Sequence, residues 1–318
     1  MPLSDIVAQV LDFPQVAAWP EMADAFNHAM TEHRIKLWEF PVQACQAVGG
    51  DGASAVPAAA AISCLQLGLM LIDDMLDEDP RGAYHQLGQA ATANMAFAFQ
   101  SAAFRVLADV PAEAERRAAL YASLAQMTLT VALGQYLDSR NLDDEEGYWR
   151  VAETKSAPYF GSALQIGALL GGAPPDVGQR LYEIGFLVGV GINVYDDLMD
   201  ALETPAKPDW AQGRNNLAIL YALTADHPGR AEFEALRAQA DDPPALDAAQ
   251  RILIQSGAVS YCVYHIVRRN QAARQLLDGI PLADPRALRE LIAGHTRPLV
   301  GLLESAGAAI PPELETLT

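Results

Sequence analysis

Two groups of aspartates have the residue types and spacing to do chemistry. One is Asp73, Asp74 and Asp77; the other is Asp196, Asp197 and Asp200, and both read D-D-x-x-D. On a helix the first and last acids of each group share a face, with the middle acid about 100° round. Each group also closes an apolar run, AAAAISCLQLGLMLI before the first and FLVGVGINVY before the second. Such runs form helices, so the acids fall near helix C-termini, where each anion costs ~0.3–1 kcal/mol against the dipole. Mutual repulsion adds to that cost. A hard divalent cation is the natural compensation, and Mg2+ combines one or two carboxylates with water and phosphate oxygens. The chemistry implied is metal-assisted departure of a diphosphate from a substrate whose hydrocarbon part lies along apolar helix walls. Bases close to the motifs suit that anion: Arg81, Lys155, Lys207 and Arg214, in a chain with only 21 Lys and Arg.

The elements that hold these residues are helical. Alanine and leucine dominate, and alternating β-branched runs are scarce. The pattern predicts helices from Ala58 to near Pro80, over His85–Ala108, Ala112–Ser139, Tyr148–Leu170, Val177–Leu202 and Asp284–Ala306, with a turn at Gly49–Gly52. No linker, composition shift or short repeat divides the 318 residues, which predicts a single all-α domain, 1–318, with the two motifs facing a central cavity. A net charge of −19 argues against nucleic acid and anionic membrane surfaces as partners. Cys45, Cys64 and Cys262 have no metal-ligand spacing and fit a reducing, cytoplasmic setting, as does the absence of a basic leader from the first residues. Val56–Ile72 approaches membrane-spanning length, but it contains Ser63 and Gln66 and runs into five acids, so it reads as a core helix. A di-iron bundle would need Glu-x-x-His pairs, and no histidine lies in one.

Further residues resemble the trans-polyprenyl diphosphate synthase family over roughly 41–298. Besides the two aspartate motifs, Gly134-Gln135-Tyr136-Leu137-Asp138 is similar to the family's G-Q-x-x-D helix, and Lys155-Ser156 to its Lys-Thr. Lys207 and Asp209-Trp210-Ala211-Gln212-Gly213-Arg214 resemble the segment after the second motif, and Asn193 stands where a glutamine is usual. The resemblance implies an all-α isoprenoid synthase fold and a homodimer. It also implies a site in which six aspartates bind three Mg2+ ions, with Mn2+ as a substitute, and Gln135, Lys155, Lys207 and Arg214 face an allylic prenyl diphosphate.

The same resemblance brings out departures at the second-substrate site. That family binds isopentenyl diphosphate with a Gly-Lys-Arg, a histidine and an Arg-Arg pair. By spacing, Leu37 and Trp38 stand at the Lys and Arg, Gln66 at the histidine, and Arg81 alone where two arginines are expected, with Arg34 and Lys36 close by. An apolar site would not hold a second diphosphate. The expectation is therefore an enzyme that ionises an allylic diphosphate without adding isopentenyl diphosphate. Its cation would be captured by cyclisation, water or another acceptor, with Trp38 and Phe40 lending cation–π stabilisation. The alternatives are a chain-elongating synthase of the farnesyl or geranylgeranyl type and a non-catalytic partner subunit. Gly68, five residues before Asp73, and its neighbour Leu69 are expected to line the tail pocket. Where short-chain members place an aromatic, Gly68 leaves room for a C15 or longer substrate.

Overall fold

In this computed structural model the structure describes residues 3–32, 37–140, 144–212, 215–294 and 296–305, and no strand occurs among them. The chain opens with α1 (Leu3–Leu11), α2 (Pro14–Ala17), α3 (Pro20–Thr31) and α4 (Glu39–Ala47), then the long α5 (Gly52–Leu76). Next come α6 (Tyr84–Leu87), α7 (Gln89–Ala108), α8 (Ala114–Asp138), α9 (Glu145–Lys155), α10 (Ala157–Leu170) and α11 (Pro175–Leu202). The remainder is α12 (Pro208–Gln212), α13 (Leu217–Thr224), α14 (Arg230–Arg237), α15 (Pro243–Gln255), α16 (Ala258–Asp278), α17 (Arg286–Gly294) and α18 (Arg297–Ser305). Contacts group the chain into two compact units. One comprises Met1–Leu129, Tyr159–Gly185 and Gly279–Leu288; the other comprises Thr130–Pro158, Phe186–Asp278 and Arg289–Thr318.

The first unit is built around α5. This helix begins six residues before the sequence pattern suggests, because the Asp51 carboxylate accepts from Ser54 N at 2.7 Å and caps it. α5 packs most extensively against α7 and also touches α4, α1 and α3. Ile62, Leu65, Leu67 and Leu71 are all buried, each contributing ~1.5–3 kcal/mol. That burial outweighs the dipole cost of the acids at the helix end. α5 is long and apolar enough to cross a membrane, but 72% of its apolar window is buried within the protein, as befits a core helix. Across the same unit Phe26 meets Phe99 and Phe40 meets Phe160, with ring centroids 6.0 and 5.2 Å apart.

The second unit has its own core, including Tyr148, Trp210, Leu217, Phe233, Leu246 and Cys262. Here α13 packs on α16, and α14 on α15. Asn216 caps α13, its Oδ1 accepting from Ala218 N and Ile219 N at 3.1 and 3.2 Å.

Two stretches expected as single helices are each broken in two. Tyr148–Leu170 becomes α9 and α10, parted at Ser156, because Pro158 cannot donate to the carbonyl of Thr154 and its ring crowds it. Asp284–Ala306 becomes α17 and α18, parted just before Pro298. Helix α14 has no counterpart in the sequence pattern, since Phe233 is its one fully buried residue.

Candidate active site

The first aspartate motif ends α5. Asp73 and Asp74 lie in its last turn and Asp77 is its C-cap, donating its backbone N–H to Asp73 O at 2.8 Å. Glu78 then turns the chain at φ +54°, a left-handed conformation that glycine usually supplies at a helix end. All three aspartates are part-exposed. Arg81 is held beside them by Asp79 at 2.7 Å, with its own side chain 85% exposed. The carboxylate of Asp79, and more weakly Asp74, raises the Arg81 guanidinium further.

Deeper along α5, Gly68 is buried, and a Cβ there would lie 3.1 Å from Ala96 O and 3.5 Å from the Cβ of Phe99. The glycine thus lets α5 and α7 approach, and α7 fills the space next to it. Leu69 and Gln66 are part-buried, and Gln66 Oε1 has no hydrogen-bond partner among the described residues. Trp38 is part-buried, whereas Phe40 is a core residue.

The second motif lies in the other unit, and its three acids differ from one another. Asp197 points inward: its Oδ2 accepts from the Tyr148 hydroxyl at 2.5 Å and from Leu217 N at 3.3 Å. Burial raises its carboxyl well above the usual range, although both hydrogen bonds favour the ionised form. Burial and the adjoining Asp197 likewise push the Tyr148 hydroxyl up, so the proton stays on tyrosine. Asp196 keeps much of its surface in solvent, yet the surrounding protein and then Asp200 raise its carboxyl to about 6. Asp200 is raised by burial and by Asp209, with Lys207 opposing. A cluster that resists ionisation in this way is one a cation would stabilise.

Around this motif the chain builds a connected frame. Lys155, the last residue of α9, donates to Asp138 Oδ2 at 2.6 Å, and Asn215 donates to Asp138 Oδ1 at 3.2 Å. A Cβ on Gly134 would sit 2.3 Å from Lys155 N, so α8 reaches the end of α9 only through glycine. Gln135 beside it is buried. Asn193 Nδ2 donates to the Tyr148 hydroxyl at 3.3 Å while its Oδ1 accepts from Ser156 at 3.4 Å. Asn216 donates to Asp197 O at 2.7 Å and to Asp209 Oδ2 at 2.9 Å. Lys207 pairs with Glu203 at 2.8 Å at the surface, and Arg214 lies outside the described residues. Sequence reasoning missed Tyr148, Asn215 and Asn216. The available signal for Tyr148 was its position seven residues before Lys155, two turns back on the same helix face.

Among the described residues no three His, Cys, Asp or Glu side chains form a cage that holds an ion alone. The donor set nevertheless fits Mg2+, which needs only one or two carboxylates when water and phosphate complete its shell. All three cysteines are buried and unpaired, so none is placed as a nucleophile.

The described residues form helices without strands, carry two D-D-x-x-D motifs and hold a lysine at a helix break, and the solved structures they match give this arrangement as the isoprenoid synthase fold. The polyprenyl synthetase family pattern matches residues 33–253, and the chain belongs to that family, whose members are enzymes acting on isoprenoid diphosphates. It is 28% identical to a geranylgeranyl diphosphate synthase of Methanosarcina mazei, over 74% of this chain and 76% of that protein. It is 28% identical to a geranylfarnesyl diphosphate synthase of Natronomonas pharaonis, over 73% of this chain and 74% of that protein. The fold matches a crystal structure of geranylgeranyl pyrophosphate synthetase from Pyrococcus horikoshii at a TM-score of 0.79, with 18% identity, covering 92% of this chain and 94% of that one.

These relatives overturn the expectation of an enzyme that dispenses with isopentenyl diphosphate, since they are named as geranylgeranyl and geranylfarnesyl diphosphate synthases. The expectation rested on Leu37, Trp38, Gln66 and the lone Arg81, and for Leu37 the structure offers a packing role, since it is buried with 6% of its surface exposed. Gln66 exchanges a cation for an amide that still offers two N–H donors. The basic pair Arg34 and Lys36 lies outside the described residues.

Proposed function

We propose that this chain is a trans-prenyltransferase that elongates an allylic diphosphate with isopentenyl diphosphate. The C–O bond to the allylic diphosphate breaks, a C–C bond to isopentenyl diphosphate forms, and pyrophosphate and a proton leave. The observation carrying this reading is the likeness, over about three quarters of both chains, to synthases named for C20 and C25 products. A C15 or longer allylic primer fits those names.

The roles we assign draw on the geometry within each unit and, for Arg214, on the family resemblance. Asp73, Asp74 and Asp77 in one unit, and Asp196 and Asp200 in the other, supply carboxylates for Mg2+, three ions in our reading, with Mn2+ able to substitute. Ions held by these carboxylates would neutralise the diphosphate and stabilise it as a leaving group. Lys155, oriented by Asp138, donates to diphosphate oxygens, with Lys207, Arg214 and Arg81 adding positive charge. Gln135 and Asn193 line the site as polar contacts, and Trp38 and Leu69 belong to the apolar side. Asp197 acts by orientation, because its carboxylate is already engaged by Tyr148 and Leu217.

We further read 1–318 as one catalytic domain, cytoplasmic and homodimeric. The dimer reading is supported by α8, where Leu129, Leu133 and Tyr136 are 72%, 44% and 57% exposed on one helix face. The test of function is mass spectrometry of products formed with Mg2+, isopentenyl diphosphate and each allylic primer from C10 to C25. Longer diphosphates support the proposal. Cyclised hydrocarbons or alcohols as the sole products reject it.

A further inference from the structure

Three helices that carry none of the motif residues line a polar cavity of about 350 Å3. Its lining includes Arg274 and Asp278 of α16, Arg289 and Glu290 of α17, and Arg297 of α18, with Leu277 and Ala293 as apolar wall. Three guanidiniums therefore meet two carboxylates, a local charge of +1 in a chain whose net charge is −19. Arg289 pairs with Asp278 at 2.8 Å and Arg297 with Glu290 at 2.7 Å. These four side chains are 48–69% exposed, so water screens both pairs and either opens at little cost. Arg274 is more enclosed. Burial disfavours its charged form, and repulsion from Arg289 and Arg297 works against the help it draws from Asp278 and Glu290.

We propose that this cavity is an anion site that takes a phosphate or diphosphate group. Guanidinium forks match phosphate oxygens two at a time, and Arg is the side chain suited to that geometry. An anion held by three of them would remove the repulsion among them and exchange two screened surface pairs for shared, charge-assisted hydrogen bonds. The volume lies at the low end for ligand pockets, which fits inorganic phosphate, pyrophosphate or a small phosphate ester and leaves no room for a long hydrocarbon chain. The site stands apart from the reaction proposed above and does not depend on it.

Isothermal titration of the full chain tests this, in buffer stripped of divalent metal, with inorganic phosphate, inorganic pyrophosphate and isopentenyl diphosphate as probes. The variants are Arg274→Gln and the exposed double change Arg289→Gln with Arg297→Gln, beside Lys155→Ala as a control. The expected result is saturable pyrophosphate binding that survives Lys155→Ala and weakens at least about tenfold in the arginine variants. Circular dichroism establishes that each variant folds, and the double change, at the surface, carries the test if Arg274→Gln does not. Equal affinity for pyrophosphate and isopentenyl diphosphate assigns the site to the charged head alone. Tighter isopentenyl diphosphate adds Leu277 and Ala293 to the contact, and both results support the proposal. No saturable binding, unchanged affinity in the arginine variants, or loss in Lys155→Ala alone overturns it.

Discussion

The hydroxyl of Tyr148 ties together groups far apart in the chain, since Asp197 lies 49 residues away and Asn193 45. Tyr148→Phe keeps the buried ring and deletes one oxygen. Asp197 is then left with Leu217 N, and Asn193 loses its acceptor. By analogy with residues that orient metal ligands, turnover falls ~10–100-fold and the Mg2+ requirement rises, with the fold retained. Steady-state kinetics over a Mg2+ series measures this, and kinetics equal to the parent's would show that the network does not act on the reaction. A second residue sets part of the acid stability. Burial, and then Arg269, lowers His265 to about 4. The unfolded chain takes up this proton near pH 6.5, so stability is full above that value and declines as pH falls towards 4. His265→Gln removes on the order of 2 kcal/mol of that decline, read from urea midpoints at pH 7 and pH 4.5. The aspartate motifs stood out in the sequence because charge at the end of an apolar helix is conspicuous, and Lys155 through its resemblance to the family's Lys-Thr. Tyr148 was not, because a tyrosine on an amphipathic face looks like core until its partner is known.

Glycine at helix contacts decides how closely the elements of the site approach. Gly134→Ala would drive a methyl group to 2.3 Å from Lys155 N and 2.4 Å from its Cα, and backbone cannot move aside as a side chain can. The substitution costs ~1–3 kcal/mol by overpacking and shifts Lys155 from Asp138. Activity should fall more than the melting temperature alone explains. Gly191→Ala is the contrast, with its nearest atom 4.0 Å away; it stabilises α11 by ~0.5–1 kcal/mol through helix propensity. Thermal denaturation of both variants checks the pair, and equal shifts would refute the contact argument. Most helices were readable from alanine and leucine runs. The break at Ser156 was not read, although Pro158 three residues past Lys155 is what makes it, and that break leaves Lys155 as the last residue of its helix. Gly68 shows the opposite failure: a missing side chain looked like open space, but α7 occupies it.

For the whole molecule, association and reaction are the two matters at stake. The exposed apolar face of α8 predicts self-association, so Leu129→Asp with Leu133→Asp yields a monomer by sedimentation at a concentration where the parent is a dimer. A parent already monomeric would remove that reading. The all-α fold could be read from composition and period, and the family from its motifs. The reaction could not, because Leu37, Trp38, Gln66 and the lone Arg81, standing where the family has basic residues, were read as the loss of the isopentenyl diphosphate site. Pyrophosphate release is the most direct test of the elongation claim, measured with a C15 allylic diphosphate and Mg2+ in the presence and absence of labelled isopentenyl diphosphate. Elongation predicts one pyrophosphate released for each label carried into a longer diphosphate, and almost none when isopentenyl diphosphate is left out. Equal release in both arms, with the label unincorporated, would contradict it.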